Sequence, residues 1–154
     1  MEEIYKSGRA RAIGVCNFTE RHFVELFRNA KIKPAVNQIE LHPHLSQQSL
    51  VRYCETEGIA CEAWSPLGGD GGKLLDDPAL NKIAGKYGKS TAQVILRWNL
   101  QNGVITIPKS IHQTRIVDNA NLYDFELMAD EMKSINDLDQ DSRRFGRDPN
   151  TMNF

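Results

Sequence analysis

The stretch of this sequence richest in chemistry runs from Lys109 and Ser110 to Arg115 and, four residues further on, Asn119. Residues four apart share one face of a helix. A helix start flanked by Lys109, Ser110 and Arg115 offers an anion free N–H groups, the positive end of the helix dipole and a guanidinium that grips phosphate through two bonds. The same residues would also serve as a solvated basic helix start with ordinary capping. A second group is Asn17 and Gln38, read as projecting from the ends of adjacent strands. Each amide carries donors and an acceptor and suits a carboxamide, though each taken singly reads first as a structural hydrogen-bonder. A third is Trp64-Ser65-Pro66-Leu67-Gly68, where the indole either stacks on a planar ring or closes the rim of the core.

Other candidates are weaker. Gly72-Lys73 imitates a P-loop, but Leu74 stands where magnesium needs a hydroxyl and the glycine spacing is wrong. His42-Pro43-His44 has no third ligand nearby, so no metal is expected, and one imidazole is assigned to satisfying backbone. Cys16 at a strand end lacks a His/Asp relay and reads as a buried, inert thiol.

Four strands are expected to position these groups: Arg9 to Val15, Ala35 to Leu41, Ile59 to Ala63 and Val104 to Ile107. Helices are expected between and after them. One is capped by Thr19 and runs through Asn29; another is capped by Ser46 and ends at Gly58. A third opens at Asp77-Pro78 and ends near Gly88, and a fourth opens at the capping box Ser90-Thr91-Ala92-Gln93. Two more span about Thr114 to Asn121 and Asp130 to Leu138, and residues 140–154 form an irregular tail. Met1 to Ser7 reads as the end of a helix stopped by Gly8, with its own start missing. Four alternations of strand and helix mean an α/β fold with a parallel sheet, whose ligands bind at the C-terminal strand ends.

The chain has 154 residues, 40% hydrophobic and 25% charged, enough for one domain with a core. Nineteen basic against twenty acidic residues give −1, so neither nucleic acid nor an anionic membrane is a favoured partner. No apolar run approaches the ~20 residues that span a bilayer. Three cysteines without CxxC spacing suit reduced thiols and a cytoplasmic location.

Five collinear motifs resemble the aldo-keto reductase family. They are Ile13-Gly14-Val15-Cys16-Asn17-Phe18, Val36 to Pro43, Ala63 to Gly68, Leu96-Arg97-Trp98 and Ile107-Pro108-Lys109-Ser110. Trp64 and the short tail resemble the bacterial members that reduce aldehydes, methylglyoxal-type dicarbonyls or diketo-gluconates. The resemblance implies a (β/α)8 TIM barrel that uses NADPH and a small carbonyl substrate. It places Asn17 and Gln38 on the nicotinamide carboxamide and Trp64 on the nicotinamide ring. Ser65, Leu67 and the loop from Gly68 would flank the pyrophosphate. Lys109, Ser110 and Arg115 would hold the adenosine 2′-phosphate, with Asp118 and Asn119 near the adenine. Cys16 stands where the family usually has serine, a better hydrogen-bonder.

A complete barrel takes about 250 residues. The motifs match only the later half, strands five to eight, so residues 1–154 are expected to form one partial domain. The family's catalytic Asp, Tyr, Lys and His belong to the earlier half, and no catalytic residue is assigned here. Tyr5, Tyr53, Tyr87 and Tyr123 fall in helical or linker stretches. In the complete enzyme the resemblance implies NADPH-dependent reduction of aldehydes and ketones to alcohols. This chain alone is expected to carry most of the cofactor site with little or no turnover. The alternative is a non-catalytic half-barrel that binds NADPH, or that self-associates through its exposed edges.

Overall fold

The structure is a computed structural model, and it describes residues 1–69, 73–141 and 148–151. Four strands form one parallel sheet in sequential order: β1 (Gly14–Cys16), β2 (Val36–Glu40), β3 (Ala60–Trp64) and β4 (Ile105–Thr106). Helix α1 (Glu2–Lys6) precedes the sheet, α2 (Glu20–Asn29) joins β1 to β2, and α3 (Gln48–Thr56) joins β2 to β3. A 3₁₀ turn (Lys73–Asp76), α4 (Pro78–Tyr87) and α5 (Thr91–Gln101) lead to β4. Helices α6 (Gln113–Ala120) and α7 (Ala129–Asn136) follow, with a 3₁₀ turn at Pro149–Thr151.

Local chemistry accounts for the helix starts. The Asp77 carboxylate accepts from the N–H groups of Ala79 and Leu80, and Pro78 fills the first helical position, where no N–H is needed. Ser90 and Gln93 cap α5 reciprocally. Gly88 closes α4 at φ 63°, a left-handed conformation that favours glycine.

The sheet has two unlike faces. Asn37, Ile39, Cys61 and Ala63 point to the helices and are buried, in one core with Phe23, Cys54, Leu80, Ile95 and Trp98. On the opposite face the register aligns Cys16, Gln38, Glu62 and Ile105 in a single row across all four strands. That row is open, and Ile105 is 43% exposed. Polar side chains stand there because, among the described residues, no helix layer covers this face.

Several elements differ from expectation. β1 begins at Gly14 rather than Arg9. The last ladder bond on that side runs from Ala35 N to Ile13 O at 2.7 Å, and the next residue of the facing segment is Pro34, which has no N–H to give. Ser46 does not cap α3. Its hydroxyl donates to the Asp139 carboxylate, while Gln47 takes the cap position at φ 47°. β4 is only two residues long. Gln38 lies in the middle of β2, not at its end, and reaches Cys16 because β1 is short and ends opposite it. Most of the loop Gly68 to Gly72, and of the tail after Asp141, lies outside the described residues. Among the described residues no helix is long and apolar enough to cross a membrane.

Candidate functional site

The first cluster sits beyond the C-terminal ends of β3 and β4. An open cavity of about 550 Å³ is lined by Leu67 and Leu75 on one side and by Lys109, Ser110, Arg115, Asp118 and Asn119 on the other. Ser90, Thr91 and Ala92, at the start of α5, complete it. The N-terminal turns of α5 and α6 thus both open on one space, each with N–H groups that intrahelical bonds leave over. The α6 cap residue His112 makes no side-chain cap bond. Ser110 Oγ accepts from His112 N at 3.1 Å, which folds the strand end back against the helix start. Lys109 and Arg115 are exposed, so their charges meet solvent.

The second cluster lies on the open face of the sheet. Asn17 follows β1 at φ 57° and Ser65 follows β3 at φ 49°. Both loops therefore leave their strands through left-handed residues, a conformation that Asn tolerates better than most. Trp64 Nε1 donates to Asn17 Oδ1 at 2.8 Å. Gln38 Nε2 donates to Glu62 Oε1 at 2.6 Å, and the Cys16 thiol points to Gln38 Oε1 at 3.9 Å. Cys16 is exposed, a correction to the buried thiol expected from sequence, because it stands on the uncovered face. Partial desolvation, and then the nearby charge of Glu62, push its pKa up, so the group stays a thiol rather than a nucleophilic thiolate.

Behind this face, the fully buried Asn37 holds the β1–α2 loop in place. Its amide donates to Phe18 O at 2.9 Å and accepts from Phe18 N at 3.2 Å, clamping the residue next to Asn17. Close strand approach does the rest: a Cβ on Gly14 would lie 2.8 Å from Val36 O. Ser65 and Gly68 form a tight turn, with Gly68 N donating to Ser65 O at 2.9 Å and Gly68 at φ 86°.

Of the residues named from sequence, Lys109, Ser110, Arg115, Asp118, Asn119 and Leu67 come together at the cavity, and Cys16, Asn17, Gln38 and Trp64 at the open face. Sequence reasoning missed Glu62, Asn37, Leu75 and the start of α5. Glu62 was discoverable in principle, since it stands two residues before Trp64 and shares its strand face. His42 Nε2 lies 3.2 Å from Glu40 Oε1, both buried. Among the described residues no group of three or more His, Cys, Asp or Glu side chains is placed to hold a metal ion.

The donor set fits a phosphorylated dinucleotide: cations, a hydroxyl and two helix starts at one end, two amides and an indole at the other. The sequence model of the Aldo/keto reductase family matches residues 1–140. A glyoxal reductase of Bacillus subtilis (strain 168) is 52% identical over 154 residues, which are 100% of this chain and 55% of that protein. A 9,11-endoperoxide prostaglandin H2 reductase of Trypanosoma cruzi (strain CL Brener) is 47% identical over 97% of this chain and 53% of its own length. A crystal structure of a Gox0644 variant in complex with NADPH matches with a TM-score of 0.93 at 43% identity, over 99% of this chain and 56% of that one. A Bombyx mori aldo-keto reductase in complex with NADP matches at 0.85 and 39% identity, over 93% and 49%. The chain spans about half the length of the relatives it matches.

Proposed function

The chain belongs to the aldo-keto reductase family, and we propose that it is the NADPH-holding half of a carbonyl reductase. When bound, the cofactor supplies a hydride for the carbonyl carbon of an aldehyde or ketone. The observation that carries the reading is the cavity at the start of α6, where Lys109, Ser110, Arg115 and Asn119 face one space. Lys109, Ser110 and Arg115 bind the 2′-phosphate, and Arg115 provides the planar fork that suits it. Asp118 and Asn119 lie against the adenine, and Ser65, Leu67 and Gly68 against the pyrophosphate. Asn17 and Gln38 hold the carboxamide beside Cys16, and the Trp64 indole stacks on the nicotinamide. Three free thiols support a reducing, cytoplasmic setting.

Proton delivery to the carbonyl oxygen is a separate task, and neither Tyr53 nor Tyr87 is built for it. Tyr53, on α3, packs with its ring centroid 5.7 Å from that of Phe23 on α2, and burial raises its pKa. Tyr87 is bonded to Glu131 at 2.5 Å, which raises its pKa as well. Without a positioned acid, turnover by this chain falls about 10²–10⁴-fold below that of a complete enzyme. Tryptophan fluorescence during NADPH titration tests cofactor holding: quenching that Lys109→Ala weakens is the expected result. No quenching at millimolar cofactor, with Lys109→Ala indistinguishable, would overturn it. NADPH oxidation with methylglyoxal tests the second statement, and rates near those of an intact reductase would contradict it.

A second reading, a self-associating half-barrel, is favoured by one observation. Ile105 and Ile107, each 43% exposed, border the open face of the sheet. Sedimentation that finds only monomer across the working concentration range would count against it.

A further inference from the structure

We propose that β3 sets the hydrogen-bond polarity of both carboxamide-reading amides, with Trp64 fixing Asn17 as a donor and Glu62 fixing Gln38 as an acceptor. This rests on the reading that Asn17 and Gln38 face the nicotinamide carboxamide.

An amide side chain has two poles, and its orientation is decided by its neighbours. Both neighbours here are chemically unambiguous. The indole Nε1–H of Trp64 can only donate, so the atom 2.8 Å from it must be the Asn17 oxygen. The Nδ2 hydrogens of Asn17 are then the pole left for a ligand. The Glu62 carboxylate can only accept, so the atom 2.6 Å from it must be the Gln38 nitrogen. That turns Gln38 Oε1 toward Cys16, whose thiol lies 3.9 Å away and occupies at most one of the two lone pairs. The pole that remains is an acceptor. Glu62 and Trp64 are two residues apart on β3, so their side chains leave the same face. They pair across the register with Gln38 and Glu40 of β2.

The two remaining poles, a donor at Asn17 and an acceptor at Gln38, match the C=O and NH2 of a carboxamide in one sense only. Glu62 is therefore a positioning residue, acting through Gln38, and its bond to Gln38 is charge-assisted and hard to reverse. A carboxamide held in one sense fixes the rotation of the attached ring.

The test compares NADP+ with its 3-acetylpyridine analogue, in which a methyl group replaces the NH2. Both rings are cationic and both carry the 2′-phosphate, so the ratio of their dissociation constants isolates the bond to Gln38. Calorimetry on the 154-residue chain should show the analogue bound about three- to tenfold more weakly, the worth of one hydrogen bond. Glu62→Lys puts a donor opposite Gln38, reverses its amide and brings the ratio to about one. Glu62→Gln is isosteric and can pair with Gln38 in either sense; it preserves packing if Lys is not tolerated, and it lowers the ratio by about twofold. Gln38→Leu also brings the ratio to about one. A wild-type ratio of one, or Glu62 variants with the wild-type ratio, would overturn the inference and leave NADPH holding intact. Failure of the wild-type chain to bind either cofactor would overturn both.

Discussion

The two ends of the candidate site are built on different physics. At the amide end each polar group already has a partner: Trp64 on Asn17 at 2.8 Å, Glu62 on Gln38 at 2.6 Å, Asn37 on Phe18 at 2.9 Å. At the cavity end, Lys109 and Arg115 are exposed beside the first turn of α6. The first end is pre-organised and gains little affinity per contact, because its groups exchange few bonds on binding. The second is a charged, solvated mouth whose attraction for an anion would be screened by salt. On the proposed reading, affinity and orientation fall to opposite ends of one ligand.

That contrast can be broken most forcefully at the cavity. Lys109→Ala combined with Arg115→Ala should weaken adenosine 2′,5′-bisphosphate and NADPH by about a hundredfold or more in calorimetry, since each charged bond is worth ~1.5–3 kcal/mol. Raising the salt concentration should weaken the wild type more than this double variant. Next in size is the seating of the amide end. Gly14→Ala brings a Cβ to 2.8 Å from Val36 O, a backbone atom that cannot swing aside. It should cost about 1–3 kcal/mol in urea unfolding. Trp64→Phe keeps a stacking ring and deletes the donor to Asn17, so NADPH should bind about three- to tenfold more weakly, with the bisphosphate unaffected.

The smallest effect belongs to neither end. Burial opposes the charge of Glu131, yet Lys86 at 2.6 Å, Tyr87 and the Met128 N–H together lower its pKa below the ordinary carboxylate value. A carboxyl depressed in the folded state contributes stability above its unfolded pKa and loses it as pH falls through the folded one. Thermal unfolding of Glu131→Gln should therefore be less sensitive to acid than that of the wild type. Equal acid sensitivity would remove Glu131 from the account.

Strand and helix order, the caps at Asp77 and Ser90, and the cationic helix start were legible because each rests on local chemistry. The cationic end needed only the spacing of Lys109, Ser110, Arg115 and Asn119 along one loop and one helix. The amide end was legible in its residues but not in its wiring. Gln38 meets Glu62 only through the register of β2 against β3, and that register is set by packing between segments more than twenty residues apart. Ser46 resembled a cap because serine before a helical pattern usually is one. Its hydroxyl is drawn instead to Asp139, 93 positions along the chain. Cys16 reads as buried because no His/Asp relay stands beside it and free cysteines are usually buried. Alternation along the strand puts it on the open face, which no local pattern reveals.

The central claim is that this half-barrel recognises the phosphorylated nicotinamide cofactor through its own residues. Calorimetric titration of the unmodified chain with NADPH and with NADH tests it most directly. The account predicts that NADPH binds at least about tenfold more tightly, through the 2′-phosphate at Lys109 and Arg115. Equal affinity for the two cofactors, or no heat with either, would contradict it.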